Sequence, residues 1–536
     1  MRSPALLCLS LVAVVLPAAA KRPIPIPKGH TIAEEGLSAE SVGQVTFEQL
    51  LDHDNPDLGT FSQRYWYNTE YWKGPGSPVV LFTPGESAAD GYDAYLTNRS
   101  ITGYFAQELE GAVILLEHRY WGDSSPYDDL TTENLQYLTL KNSIADLTYF
   151  AKTVKFPFDS SGQSNADKAP WVLSGGSYSG ALAAWTESTL PGTFWAYHAS
   201  SAPVEAIFDY WQYFYPVQDG MPANCSRDVS VVIDHVDEVL TTGTAEEKNA
   251  LKAMFGLEGV EHADDFASAI ENGPWLWQEN TFTTGYSGFY QFCDAVEGVT
   301  AGQADTPGPG GVGLEKALAG YASYFNSSIL PNYCQALGYE DGDDYNVACF
   351  DTYNVSNPLY TNYTVRNPFD RQWNWMLCNE PFAYWQDGAP LGVPTVVSRL
   401  VTASYWQRQC GLFFPQEGSH VYGSSPSHLP PLSVHTENLY TDGWYTSSPL
   451  KPSKRLIWTN GEFDPWRTTG VSSQFRPGGP LQSTPEAPVQ VIPAGIHCSD
   501  LYMGDAKVNA GVQEVVDNEV KQIVEWVNEF YDGKRY

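Results

Sequence analysis

Residues 174–180 read Ser174-Gly175-Gly176-Ser177-Tyr178-Ser179-Gly180, followed by the helix-like Ala181-Leu182-Ala183-Ala184-Trp185. A serine hydroxyl becomes a useful nucleophile when a neutral imidazole takes its proton. A sharp strand-to-helix turn can present that hydroxyl, but it is strained and needs small residues two places before and after the serine. Ser177 has Gly175 and Ser179 in those places, while Ser179 would have Ser177 and Ala181. Ser177 is therefore the expected nucleophile and Ser179 the alternative. Ser179 breaks the strict G-x-S-x-G spacing, and read alone the segment also suits an ordinary Gly/Ser turn.

The remainder of the constellation favours chemistry. Where such a turn carries a nucleophile, an acid follows a late strand and a histidine follows the last one. The strand-like run Arg455 to Thr459 is followed by Asn460-Gly461-Glu462-Phe463-Asp464-Pro465-Trp466, and Val489 to Ile492 by Pro493-Ala494-Gly495-Ile496-His497. His497 is the only histidine beyond His435. It is the expected general base, and afterwards the acid for the leaving amine. Asp464 is the expected partner that orients it and stabilises its charged form, with Glu462 and then Asp500 behind. An oxyanion hole needs two aimed N–H groups. The expected donors are the backbone of Tyr178 and that of Gly85 or Glu86. No cofactor is implied, and without a C-x-x-C pair a zinc site has no support.

These residues need a scaffold. Val79 to Phe82, Ala112 to Leu116, Trp171 to Leu173 and Trp195 to His198 are short apolar runs ending near Gly, Pro or Ser, with a helical stretch near 139–153. Strands alternating with helices predict a parallel sheet in an α/β fold. From about 205 to 440 the pattern becomes mostly helical, as in Ala245 to Phe255 and Ala263 to Asn272, with a Gly/Pro loop at 302–313. Strands then resume, and Val512, Val516, Val520, Ile523, Val527 and Phe530 mark a closing helix. The expected organisation is an α/β core over 44–204 and 441–536, interrupted by a helical insertion over 205–440.

The chain has 536 residues, 43% hydrophobic and 14% aromatic, which excludes a disordered or fibrous protein. Its net charge of -34 argues against nucleic acid or an anionic membrane as partner. Residues 1–20 read as a secretory signal: Arg2, an apolar core from Leu6 to Val15, then Ala18-Ala19-Ala20. Lys21-Arg22 follows, so a pro-segment over 21–43 is expected. No later stretch is apolar enough to span a bilayer. Sequons at Asn98, Asn224, Asn326, Asn354 and Asn362 point to a glycosylated, secreted protein. Removing Cys8 with the signal leaves seven cysteines, six of them between 225 and 410, and Cys498 is the expected free thiol.

The motifs together resemble a family of serine peptidases that includes lysosomal Pro-X carboxypeptidase, dipeptidyl peptidase II and the secreted acid prolyl endopeptidases of fungi, the last most of all. The likeness rests on Leu51-Asp52-His53, Gly59-Thr60-Phe61-Ser62-Gln63-Arg64-Tyr65, Glu117-His118-Arg119-Tyr120-Trp121-Gly122-Asp123-Ser124, Gly175-Gly176-Ser177-Tyr178, Asn460 to Trp466 and Gly495-Ile496-His497, spread over residues 45–500. Ser179, where many relatives have Gly, and Cys498 beside the histidine are departures. The resemblance implies an α/β-hydrolase core with a helical cap, cleavage after proline, and catalytic roles for Ser177, Asp464 and His497. It suggests a Cys378–Cys410 disulfide, leaving Cys225–Cys293 and Cys334–Cys349 as the expected remainder.

Proline is apolar, rigid and without an N–H, so an aromatic pocket suits it. Trp466 is placed by sequence to line one, with Trp373, Trp375 and Glu380 as a second wall; core packing is the competing role for each. His118 and Arg119 read as a structural polar network. The expected substrates are proline-containing peptides and proteins, cut internally; an exopeptidase, an esterase or lipase, and an inactive binding protein are the alternatives. Low pI and the resemblance suggest work at acid pH, but net negative charge should raise a histidine pKa above ~6.5, so acid activity would need a local effect that lowers it.

Overall fold

The computed structural model describes residues 41–300, 307–339, 343–380, 383–423 and 453–534. The expected signal segment, residues 21–40 of the expected pro-segment and the expected boundary at 440 lie outside the described residues.

Eight strands form the central sheet: β1 (Val42–Leu50), β2 (Thr60–Asn68), β3 (Val79–Phe82), β4 (Ala112–Leu116), β5 (Trp171–Gly176), β6 (Ala196–Ser200), β9 (Leu456–Gly461) and β10 (Val489–Ile492). The short β7 (Ile207–Asp209) and β8 (Ala383–Trp385) pair separately and in parallel. The sheet order is β1-β2-β4-β3-β5-β6-β9-β10, antiparallel at β1/β2 and β2/β4 and parallel elsewhere. This is an α/β-hydrolase fold. Every residue of β3, β4, β5, β6 and β9 is buried, as a parallel sheet covered on both faces requires. Edge strand β1 is largely half-exposed.

Apolar side chains fill both sides of the sheet. On one side Val80, Phe82, Val172 and Ile457 pack with α1 (Ile101–Glu108) and with Val512, Val516, Ile523 and Val527 of the C-terminal helix Ala510–Lys534. On the other, Leu81, Leu173 and Tyr197 pack with α2 (Leu140–Thr153) and α3 (Tyr178–Thr189), and that core continues into the helical region. The Thr139 side chain accepts the Asn142 N–H and caps α2.

Between β6 and β9 the described residues are mostly helical, including Ala223–Thr242, Ala245–Met254 and Ala263–Ile270. Cys225–Cys293, Cys334–Cys349 and Cys378–Cys410 are disulfide-bonded. Cys498 is free and buried. Four described strands went unread in the sequence: β1, whose Val42 and Gly43 fall in the expected pro-segment yet pair with Asn68 and Tyr67, β2, and the short β7 and β8. No described helix is long and apolar enough to cross a membrane.

Candidate active site

β5 ends in the turn that carries Ser177, with φ 57° and ψ -129°. Such a backbone costs on the order of 1–3 kcal/mol for a residue other than glycine. The surroundings hold it in place. The Ser177 N–H donates to the Ser200 carbonyl of β6 at 2.9 Å. Close packing accounts for the neighbouring glycines: a Cβ on Gly175 would lie 2.1 Å from the Ser179 carbonyl oxygen, and one on Gly180 2.7 Å from that of Ser200. Ser179 itself is turned inward. Its hydroxyl donates to the Gly176 carbonyl at 2.7 Å and accepts the Gly176 N–H at 3.0 Å.

His497 and Asp464 come from the turns after β10 and β9. His497 Nδ1 lies 2.8 Å from Asp464 Oδ1. A carboxylate only accepts, so Nδ1 carries the hydrogen and the neutral ring keeps its lone pair on Nε2. Asp464 Oδ1 also accepts the Trp466 N–H at 3.0 Å, and the carboxylate is completely buried. The other acids weighed for this role are engaged elsewhere: Glu462 accepts the Ala494 N–H at 2.8 Å, and Asp500 accepts the Ser200 hydroxyl at 2.6 Å. Burial opposes charge on His497, but Cys498 and Asp464 beside it outweigh this and raise its pKa well above the ordinary 6.5. The Cys498 N–H donates to Ser201 Oγ at 2.8 Å.

Tyr178 opens α3, where the first backbone N–H groups have no acceptor within the helix. The loop after β3 packs against it: a Cβ on Gly85, at φ +71°, would lie 3.3 Å from both Ser179 N and Tyr178 Cδ1. The Gly85 N–H leans on Thr83 Oγ1 at 3.5 Å, while Glu86 uses its own backbone as a hydrogen-bond partner for its carboxyl. Burial pushes that carboxyl up to about 8, with Asp370 adding to the shift and His497 opposing it. The Tyr178 ring lies 5.2 Å from that of Trp373. The His118 imidazole is 3.2 Å from the Tyr178 hydroxyl through Nε2 and 2.9 Å from the Arg119 carbonyl through Nδ1. The carbonyl fixes the hydrogen on Nδ1, so Nε2 accepts from the tyrosine. Burial lowers the His118 pKa to about 4, which keeps that tautomer neutral. Arg119 instead grips Asp146 at 2.7 and 2.6 Å. The sequence held the His118 segment but not its contact with Tyr178, which joins residues 60 positions apart.

Trp466 sits in an aromatic box formed by Tyr210, Tyr213 and Tyr384, at ring separations of 5.6, 5.4 and 5.3 Å. Its indole Nε1 donates to Gln278 Oε1 at 3.1 Å. Tyr210, Tyr213, Tyr384 and Gln278 were not singled out in the sequence, because nothing local marks them. Trp373 and Trp375 diverge: Trp375 donates to the Leu138 carbonyl at 2.9 Å and packs on Phe414, away from the turn. Glu380 accepts the Leu140 N–H at 3.1 Å, its second oxygen is buried without a hydrogen-bond partner, and burial raises its pKa to about 7. None of the five sequon asparagines is buried.

Sheet order and the strained serine turn define the class as α/β-hydrolase. A family model described as serine carboxypeptidase S28 matches residues 49–286 and 325–516. The chain belongs to that family of serine peptidases. It is 44% identical over 494 residues to serine protease vicPa of Bipolaris victoriae, covering 92% of this chain and 90% of that one. It is 40% identical over 524 residues to serine protease vicPb of the same fungus, covering 98% and 94%. It is also 29% identical over 494 residues to a probable extracellular serine carboxypeptidase of Arthroderma benhamiae, covering 87% and 64%.

Proposed function

We propose that the protein is a secreted peptidase that cleaves peptides on the carboxyl side of proline, acting as an endopeptidase through Ser177, His497 and Asp464. The observation that carries this reading is the His497–Asp464 hydrogen bond at 2.8 Å, which orients an imidazole on the turn after β10, with Ser177 held at φ 57° on the turn after β5. Ser177 attacks the scissile carbonyl as His497 takes its proton. The tetrahedral oxyanion is received by the Tyr178 N–H and by an N–H of the Gly85–Glu86 loop. His497 then protonates the leaving amine, and water repeats the cycle on the acyl-enzyme. Support for proline comes from the aromatic box of Trp466, two residues from Asp464 on one short turn.

Secretion is supported by the leading segment, three disulfides, the accessible sequons as glycosylation sites, and the word extracellular in the name of the Arthroderma relative. In the domain reading, the helical stretch 205–440 roofs a core of 44–204 and 441–536. Acid working conditions fit the charge of -34 and the buried Glu86 and Glu380, whose neutral forms are favoured. The upward shift of His497 opposes this in the free enzyme. Activity in acid then needs the bound peptide to exclude the water that solvates the imidazolium.

Removal of single C-terminal residues is the second reading, favoured by the family description and the carboxypeptidase name. One experiment separates the two. A long peptide with internal prolines is incubated with the protein and with Ser177→Ala, and products are mapped by mass spectrometry over time. Internal cuts after proline, absent in Ser177→Ala, are expected. Trimming from one end alone would establish the second reading, and cleavage indifferent to proline would sink the specificity.

A further inference from the structure

Beneath the serine turn lies a second group of polar side chains, sealed inside the sheet. His198 of β6 is wholly buried, its ring edge-on to Phe105 at 5.5 Å. Its Nε2 is 3.2 Å from Asp500 Oδ2 and 3.3 Å from Glu519 Oε1. Its Nδ1 is 2.9 Å from Ser174 Oγ of β5. The Ser200 hydroxyl donates to Asp500 Oδ1 at 2.6 Å, and that of Thr459, on β9, donates to Glu519 Oε1 at 2.5 Å. Asp500 and Glu519 are at most 1% exposed.

Glu519 Oε2 is buried without a hydrogen-bond partner, and Asp500 Oδ2 meets only the His198 ring, at 3.2 Å. An unpaired buried acceptor is costly, more so when charged. Fully ionised, the cluster would hold two carboxylates against one imidazolium, a net negative charge in the dry interior. A proton kept on Glu519 removes the excess charge. The charged groups facing this proton are His198, Asp500 and Glu519; Ser174, Ser200, Thr459 and Phe105 supply the rest of the lining. Consistent with this, burial and Asp500 push the Glu519 pKa upward, with His198 and Thr459 opposing. Burial works against charge on His198, but Glu519 and Asp500 carry its pKa to about 10.

The cluster joins the segments that matter for catalysis. Ser174 precedes Ser177 on β5, Thr459 precedes Asp464 on β9, and Asp500 follows His497 in the same turn. Ser200 is bonded at both ends: its carbonyl takes the Ser177 N–H at 2.9 Å, and its hydroxyl holds Asp500. Glu519 adds the C-terminal helix. We propose that His198, Asp500 and Glu519, tied together with Ser200 and Thr459, are positioning residues that keep the segments bearing Ser177, Asp464 and His497 in register. The proposal rests on the assignment of those three as the catalytic residues. Loss of the Glu519 proton as pH rises leaves two buried carboxylates against one imidazolium, and the register loosens.

The test uses the full secreted chain, Ser200→Ala and Glu519→Gln. Thermal unfolding, kcat and KM on an internal-proline peptide across pH, and the rate of Ser177 modification by a fluorophosphonate are measured for each. Ser200→Ala is expected to fold, to lose about 10- to 100-fold in kcat with KM within about twofold, and to be labelled more slowly by the same factor. The parent is expected to lose kcat at alkaline pH; Glu519→Gln mimics the protonated carboxyl, so that fall is expected to vanish in it. Wild-type kcat in Ser200→Ala, or an unchanged alkaline limb in Glu519→Gln, would overturn the proposal. So would one equivalent of tightly bound metal by elemental analysis, because a cation would then join the carboxylates. If the parent is labelled at Ser177 but spares proline bonds, the specificity reading fails while the labelling rates still test the cluster.

Discussion

The Ser179 hydroxyl and the Gly176 backbone close a small ring, donating at 2.7 Å and accepting at 3.0 Å. A hydroxyl used on both sides to brace a turn is not available to attack a substrate. Ser177→Ala is therefore expected to abolish fluorophosphonate labelling. Ser179→Ala is expected to remain reactive while losing about 1–2 kcal/mol of stability from the broken ring. Labelling lost in Ser179→Ala and kept in Ser177→Ala would reverse the two roles.

Asp464 fixes the tautomer of His497 and raises its pKa. Asp464→Asn should lower kcat by roughly 10³- to 10⁴-fold. It should also move the acid limb of kcat/KM to lower pH, because a charge that favours the imidazolium has gone. A pH–rate profile of the variant checks both; an unmoved acid limb would mean that another group sets it.

Two tryptophans should separate by phenotype. Trp466→Ala should reduce kcat/KM on proline peptides by roughly 10- to 200-fold while sparing a small ester better. Trp375, locked to the Leu138 carbonyl and Phe414, should instead cost about 3–5 kcal/mol of stability on truncation. Paired kinetics and thermal melts distinguish a pocket residue from a packing residue. Equal loss on both substrates for Trp466→Ala would remove it from the pocket.

Glu86 and Glu380 make stability depend on pH. Both pKa values are raised in the fold, from the ordinary 4.5 to about 8 and about 7. Their contribution is fully present below the ordinary value and is lost as pH rises through the raised ones. The melting temperature is expected to fall by at least a few degrees between mildly acid and mildly alkaline buffer. Glu86→Gln combined with Glu380→Gln should flatten that slope. Asp146, held low by Arg119 and His53 despite burial, acts in the opposite sense, but only in stronger acid.

Cys498 is buried against the site and unpaired. Thiol titration of the protein without its leader is expected to find about one thiol per chain, slow to react when folded and fast when unfolded. Rapid reaction of the native protein would contradict its burial.

How far the sequence could be read depended on whether a signal was local. The short apolar runs Val79 to Phe82, Ala112 to Leu116 and Trp171 to Leu173 marked β3, β4 and β5, and the small residues around Ser177 marked the turn. Antiparallel β1 and β2 were missed: edge strand β1 is largely half-exposed, and buried Gln63 and Arg64 interrupt the apolar pattern of β2. The aromatic box around Trp466 gathers Tyr210, Tyr213 and Tyr384 from distant parts of the chain, and composition alone does not distinguish such tyrosines from ordinary core. His198 was passed over for a related reason: it sits mid-strand in an apolar run, and its partners lie about three hundred residues further along.

The three disulfides close loops of 68, 15 and 32 residues, all within the helical region. None of them ties that region to the sheet. Mild reduction should therefore act unevenly: it frees helices that are crosslinked among themselves, while the strands bearing Ser177, Asp464 and His497 have no disulfide to lose. Under reducing conditions the protein should fail from its helical side first, with nicking by other proteases concentrated between residues 225 and 410.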